Sequence, residues 1–408
     1  MKRRVVISGV GLVGANASNS KMFWNNLINE TCSIEEIKKC DVSKLDIKYA
    51  GQVETHKLTE KFSSRFIHKC DDFSVYALHA VAEALEDAKL DMGKVDKNRI
   101  GVYVANSSGG WHAAEIGLNA LHSKGVEGIS PYLASNWFPA APQGHLSIYF
   151  GLKGYSKTVS GDMAGSNISI GNAYKVIQSG KADYMIAGGS ENVIVTWALM
   201  FYGTNGILSS HIGKPEQIYQ PFGKKRSGLV LSEGAAFIVL ESLESAIARN
   251  ADIYCEVTGY GLTNDGYNYL AGKTDGEQYA RSIQMAVKDR IPDVVFLNGA
   301  ADTREDNAEI KGVNIAFGSD LDNIKFTCPK AFYGHSYGAA AAMDVITACY
   351  SMRHNKVIKM GNVTELADNV NFNMVTQKNQ DTLVDSALIM SKGLGGINSG
   401  LYLNKYVC

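Results

Sequence analysis

Residues 157–190 read KTVSGDMAGSNISIGNAYKVIQSGKADYMIAGGS, an order of residue types that predicts strand, sharp turn, helix and strand. Residues 158–160 are short and β-prone, and Gly161-Asp162 is a turn pair. From Ala164 onward, apolar or small residues recur as Ile168, Ala173, Val176 and Ile177, and Gly180 supplies a C-terminal stop. The turn residue, Met163, falls where the first helical N–H groups and the positive end of the helix dipole converge. Such a place suits an activated nucleophile or an anion. Methionine is neither a nucleophile for acyl transfer nor an acid.

Working outward, alternating elements are expected on both sides of this block. Residues 3–8 read as a buried strand running into Gly9-Val10-Gly11-Leu12-Val13-Gly14, a match to the dinucleotide fingerprint G-x-G-x-x-G. That fingerprint requires a helix at its third glycine. Here the glycines lead into a loop, with a helix only near Lys21, so the match is read as a turn motif. A helix is expected over residues 71–90, a strand over 99–105, and a helix from the turn at 107–111 to about His122. The first half closes with a strand at 235–240 and a helix at 242–249. The second half alternates in the same way, with strands at 254–262 and 294–298, helices at 277–288, 304–311 and 337–353, and closing strands near 387–390 and 400–406. Val/Ile-rich strands alternating with helices imply an α/β fold whose sheet is covered on both faces. The two halves expected are residues 1–250 and 251–408, a topological division near Asn250 that no Pro/Gly/Ser linker marks.

The chain has 408 residues, 45% of them hydrophobic, and a formal charge of −1. That length accommodates two domains or one large core, and near-neutral charge argues against nucleic acid or an anionic membrane as partner. The seven cysteines (32, 40, 70, 255, 328, 349, 408) are an odd number without a C-x-x-C pair. They argue for free thiols in a reducing cytoplasm, and against a disulfide framework or a zinc site. The basic start, apolar residues 5–15 and Ala15-Asn16-Ala17 imitate a secretory signal, but glycines at 9, 11 and 14 suit a buried first strand better. No run reaches the ~18 apolar residues of a membrane span, and a cytoplasmic location is expected.

The block around Met163 resembles the nucleophile turn of ketosynthases in the thiolase superfamily, in which a cysteine precedes a small-residue helix, a Gly-basic-Ala-Asp turn and an A-G-x-[SD] strand end. Counting back from Gly180-Lys181-Ala182-Asp183, the cysteine column falls on Met163; a two-residue slip would put Gly165 there, and neither register holds a thiol. The resemblance implies a thiolase-like five-layered α-β-α-β-α fold with duplicated halves. It also implies two histidine positions. The first falls on Asn298, eight residues before Asp306 in a stretch that keeps Asp306 and Glu309 of the family motif; asparagine donates hydrogen bonds but does not titrate near neutrality. The second motif survives as residues 330–338, KAFYGHSYG, with Lys330 and His335. The family's G-F-G-G loop is Gly393-Leu394-Gly395-Gly396, with leucine at the gating phenylalanine.

The pattern further resembles the chain length factor, the partner subunit of an active ketosynthase in bacterial type II polyketide synthases. Its members replace the cysteine, usually by glutamine, and carry N/D-G-A-A before a D-x-A-E helix, here residues 298–301 and 306–309. They also carry S-x-G-G-aromatic, S-K-G and W-F-x-A segments, here residues 107–111, 123–125 and 137–140. This chain departs from them in having methionine for glutamine and in keeping His335. What the resemblance implies is a non-condensing subunit that pairs with a cysteine-bearing ketosynthase and receives chains on the phosphopantetheine of an acyl carrier protein, binding no cofactor itself. An interface tunnel would set polyketide length. Its lining carries over to Trp111, Ala114 and Leu118, spaced i, i+3, i+7, and to Leu199 and Met200. Without that context the same triplet reads as an ordinary amphipathic core face.

Three other readings compete. One is an active enzyme of the same fold, a malonyl carrier protein decarboxylase using His335, Lys330 and Asn298 or a residual β-ketoacyl synthase. Another is a serine acyltransferase using Ser166, although Ala164-Gly165-Ser166-Asn167-Ile168 lacks the flanking glycines of G-x-S-x-G. The third is the nucleotide-binding oxidoreductase raised by residues 9–14.

Overall fold

The computed structural model describes residues 2–56, 58, 62–361 and 363–407. Its central feature is a ten-stranded sheet in the order Ser156–Val159, Ile100–Ala105, Tyr184–Glu191, Gly234–Ser242, Val5–Val13, Cys255–Asn264, Ile397–Asn404, Ser386–Gly393, Val294–Phe296, Lys325–Thr327. The order is a palindrome in chain sequence. In each half the first strand pairs antiparallel with the fifth, the fifth antiparallel with the fourth, the fourth parallel with the second, and the second parallel with the third. The halves join through their first strands, where Val5 faces Val257 and Ile7 faces Cys255 in antiparallel register.

Helices sandwich this sheet in layers. Asp72–Asp87 covers the outer face of the first half, while Glu277–Val287 and Thr303–Phe317 cover the second. Between the halves lie Gly165–Gln178 and Ala340–His354, packed on each other and on strands of both. The second of these is buried from Ala340 to Met352, as expected for a helix covered on all sides. The result is the α/β thiolase-like layering the sequence implied. Each inner helix follows the third strand of its half, so the turns before both helices, one with Met163 and one following His335, open into the same central space.

The glycines at 9 and 11 correct the turn reading. Both lie inside the strand Val5–Val13, where a Cβ at Gly9 would come within 2.3 Å of Ala84 O and one at Gly11 within 2.0 Å of Ala80 O. They let the helix Asp72–Asp87 press against the strand and contribute nothing to a phosphate loop. The second half repeats the device: a Cβ at Gly259 would sit 1.9 Å from Ala286 O, and one at Gly261 2.0 Å from Ser282 O. Elements not expected from the sequence include the edge strand Lys325–Thr327, the helix Thr196–Thr204 and the short strands Ile34–Glu36 and Tyr49–Gly51. Cys408 lies outside the described residues; the other cysteines are free, with Cys255 Sγ and Cys349 Sγ 3.8 Å apart.

Candidate functional site

Met163 sits in the 3-10 turn Asp162–Ala164, immediately before Gly165–Gln178, and is 3% exposed. Asp162 reaches this turn at φ +50° and its carboxylate accepts the Leu394 N–H (2.8 Å), which fastens the residues 393–396 loop beside Met163. Gly165 opens the helix against Ala105 and Gly338, away from the position of the turn sulfur. Asn298 Nδ2 lies 3.9 Å from Met163 Sδ, and Asn298 Oδ1 lies 3.4 Å from His335 Nε2. Three side chains from three distant segments therefore form one line: thioether, amide, imidazole.

The protonation state of His335 follows from its neighbours. Its Nδ1 accepts the Tyr337 N–H (3.1 Å), so the ring proton belongs on Nε2, facing Asn298 Oδ1. Complete burial, and then the nearby Lys330 charge, hold the imidazole well below its usual pKa. It is a neutral hydrogen-bond donor. Lys330 donates to Leu297 O (2.9 Å) and forms an ion pair with Asp344. Burial pulls its pKa down, but Asp344, Cys328 and Glu309 together outweigh that and the net direction is up. Lys330 thus holds the strand end before Asn298 and keeps its proton.

Asn298 is fixed from behind as well. Glu309 accepts the Asn298 N–H (3.0 Å), the Gly299 N–H (2.9 Å) and the Tyr279 hydroxyl (2.6 Å), all buried. Gly299 has φ +65° and leaves no room for a Cβ, which would fall 2.5 Å from Cys328 Sγ. Asp306 performs the same service for the segment before the site by accepting the Phe222 N–H (2.7 Å). The D-x-A-E helix is a clamp for backbone. Ser166 is unsuited to nucleophilic attack: it is fully buried and its hydroxyl accepts the Ala342 N–H (3.0 Å), in the first turn of the other inner helix.

A second feature lies at the surface, a cleft of about 440 Å³ lined by Ser108, Gly110, Trp111, Ala114, Leu118, Leu133, Trp137, Trp197 and Phe201. Trp111, Ala114 and Leu118 come together along the helix Trp111–Lys124, in which Gly117 alone is buried. From the helix Thr196–Thr204 the structure places Trp197 and Phe201 in the cleft, whereas Leu199 is fully buried in the core and Met200 is exposed. Trp111 and Phe201 meet edge to face at 5.7 Å. The loop leading into Trp111 is joined to the central site by Glu191, which is fully buried. Its Oε2 accepts the Ser107 N–H (2.7 Å) and the Gly338 N–H (3.0 Å), and its Oε1 accepts the Ser108 hydroxyl (2.6 Å).

Family models match the chain as beta-ketoacyl synthase, N-terminal domain, over residues 2–246 and beta-ketoacyl synthase, C-terminal domain, over residues 254–364. The chain belongs to the beta-ketoacyl synthase family. It is 32% identical to 3-oxoacyl-(acyl-carrier-protein) synthase 2 of Staphylococcus aureus strain COL, covering 99% of both chains, and 30% identical to the synthase 2 of Vibrio harveyi, again covering 99% of each. Among solved structures, the ishigamide ketosynthase/chain length factor matches at TM-score 0.92 and 25% identity over the full length of both chains. A type II polyketide acyl-carrier protein in complex with its ketosynthase bound to a hexaketide contains a chain that matches at TM-score 0.91 and 25% identity, also over full length. The beta-ketoacyl synthase assignment thus stands on both sequence and fold. The curated relatives named are synthases, whereas the two structures are a ketosynthase/chain length factor and a type II polyketide ketosynthase complex.

No helix among the described residues is long and apolar enough to cross a membrane. Sequence reasoning missed Trp197, Phe201 and Leu133 of the cleft, and it missed Glu191 and Asp71, whose carboxylate accepts the Ala113 N–H at the start of the helix Trp111–Lys124. The first pair had a signal: an i, i+4 aromatic pair on one helix face. The roles of the buried carboxylates at the cleft had none, because the groups they accept there, the Ala113 N–H for Asp71 and Ser107, Ser108 and Gly338 for Glu191, are far away in sequence.

Proposed function

We propose that this chain is a ketosynthase-like subunit that has lost the condensing step, pairs with a cysteine-bearing beta-ketoacyl synthase in the cytoplasm, and limits polyketide length through a cleft at their interface. The observation that carries the reading is Met163: a thioether has no proton to lose and forms no thioester, and it occupies the helix mouth where this family's chemistry needs a thiolate. Asn298 and His335 support it, since neither titrates in the working range. A phosphopantetheine-borne acyl group delivered here by a carrier protein would meet hydrogen-bond donors and no acceptor for the chain. Trp111, Ala114, Leu118, Trp197 and Phe201 form the apolar wall against which a poly-β-keto chain, held away from water, would stop. We read residues 1–250 and 251–408 as two copies of one unit, on the strength of the palindromic strand order and the G-x-G pairs 250 residues apart.

The test is reconstitution. Co-expressed with a cysteine-bearing synthase, the chain is expected to co-purify as a heterodimer that makes a defined product, and to make none alone. A homodimer that condenses malonyl units by itself would refute the proposal.

One observation favours a second reading. Asn298 Nδ2 and His335 Nε2 are two neutral donors that here face Met163 Sδ and Asn298 Oδ1; turned onto a thioester oxygen instead, they would stabilise an enolate formed by losing carbon dioxide from a malonyl thioester. Incubation with malonyl carrier protein, followed by mass spectrometry for acetyl carrier protein, decides whether that step remains.

A further inference from the structure

The helix that carries Trp111, Ala114 and Leu118 lacks a cap of its own. Its N-cap is Gly110, which has no side chain to offer, and its first turn contains no acidic residue. Such a helix start leaves N–H groups without partners. The Ala113 N–H instead donates to Asp71 Oδ2 at 2.7 Å. The other oxygen of the same carboxylate, Oδ1, accepts the Phe73 N–H (3.2 Å) and so caps the helix Asp72–Asp87. Asp71 is 3% exposed. One buried carboxylate therefore terminates two helices: a rigid one pressed on the central strand, and one that forms a wall of the cleft.

We propose that Asp71 is the positioning residue of the chain-length cleft, its carboxylate fixing the first turn of the helix Trp111–Lys124 and with it the place of Trp111. The inference rests on the cleft reading above and adds the element that sets its depth. A negative charge at a helix N-terminus both satisfies the N–H groups and complements the dipole. Trp111 is two residues from the capped N–H, so any loosening of that turn moves the indole first.

The surroundings make this cap responsive to pH. Burial, and then the Asp72 charge, push the Asp71 carboxyl up to about 6, against the pull of the Ala113 and Phe73 N–H groups and His112. The groups facing it are Asp72 and Cys70 on its own segment and His112 on the capped helix, with His112 Nδ1 3.9 Å from Asp72. Behind Asp72 stand Lys39, which also pairs with the fully buried Glu233, and the hydroxyls of Tyr76 and Thr55. Freeing the Ala113 N–H removes a bond that lowers the Asp71 pKa while the carboxyl stays buried at the start of Asp72–Asp87, so the uncapped state takes up its proton at a higher pH than the capped one, and the cap weakens as pH falls through about 6.

The experiment measures backbone hydrogen exchange of the segment 111–118 together with the products of the reconstituted heterodimer, for the parent, Asp71→Asn, Asp71→Glu and Trp111→Ala. Asp71→Asn is expected to raise exchange in that segment roughly five-fold, the scale of a lost helix cap, and to broaden the product distribution toward longer chains. In the parent, both changes are expected to emerge as pH is lowered from 8 to 5.5, after correction for intrinsic exchange; in Asp71→Asn they are already present and no longer vary with pH. Asp71→Glu, which keeps the charge, is expected to restore most of the protection. The proposal is overturned if Asp71→Asn leaves exchange in 111–118 at the parent level, or if the variant keeps the parent's pH profile. Should Asp71→Asn not fold, the parent's own pH series and Asp71→Glu decide: pH-invariant exchange in the segment overturns it. Unchanged products from Trp111→Ala would instead refute the cleft reading, and the exchange result would still judge Asp71.

Discussion

Lys330 offers a direct way to separate support from chemistry at the central site. It is 1% exposed, its ion-pair partner Asp344 is fully buried, and the Tyr333 hydroxyl lies 3.4 Å from the same carboxylate. Replacing Lys330 by methionine keeps the volume but strands Asp344 without a counter-charge and removes the bond to Leu297 O. Breaking a buried pair from one side costs about 3–5 kcal/mol. The second variant, Lys330→Met with Asp344→Asn, removes both charges and is expected to recover more than half of that loss.

The pH dependence has a definite sign. Burial raises the Asp344 carboxyl and Lys330 draws it back down; without Lys330 it climbs further. A carboxyl whose folded pKa exceeds its unfolded value contributes most below the unfolded pKa, and that contribution disappears as pH rises through the folded pKa. The deficit of the single variant is therefore largest near pH 8 and shrinks toward pH 5. Urea denaturation of parent, single and double variants at both pH values measures it. A single variant within ~1 kcal/mol of the parent, or a double variant as unstable as the single, would refute the reasoning.

Two further perturbations follow. Trp111→Ala removes the edge contact with Phe201, worth ~0.5–1.5 kcal/mol, and deepens the cleft; the heterodimer is expected to release longer products with little loss of rate, read by mass spectrometry of the product mixture. Asp162→Gly deletes the carboxylate that holds the Leu394 N–H while keeping a residue at ease at φ +50°; exchange of the 393–397 segment is expected to rise while that of Gly165–Gln178 stays at the parent level.

Much of this was legible in the order of residue types. The turn at Met163 is written locally in glycines and small residues, and the resemblance to ketosynthase motifs pointed from it to Asn298 and His335, which the structure brings together. The strands of both halves were found to within a few residues, except Lys325–Thr327, a three-residue edge strand too short for its alternation to register. Gly9 and Gly11 were misread, since a turn and a strand pressed on a helix both call for glycine; only the carbonyls of Ala80 and Ala84 distinguish them. The repeat of Ser-Gly-Val-Gly-Leu at 8–12 as Thr-Gly-Tyr-Gly-Leu at 258–262 was there to be seen. Within residues 196–204, the apolar residues surround the helix on all sides, so periodicity did not tell that Trp197 and Phe201 line the cleft while Leu199 turns inward. Asp71 is legible as the start of its own helix, but its bond to the Ala113 N–H and all the bonds of Glu191 were beyond the sequence, because they depend on partners that the tertiary fold brings to them.

The central claim is that this chain carries no acyl group. Its most direct test is to incubate the reconstituted heterodimer with a labelled acyl carrier protein, separate the subunits under denaturing conditions and weigh each intact. The account predicts the acyl mass on the cysteine-bearing partner alone, with this chain at its unmodified mass. An acyl adduct on this chain would contradict it.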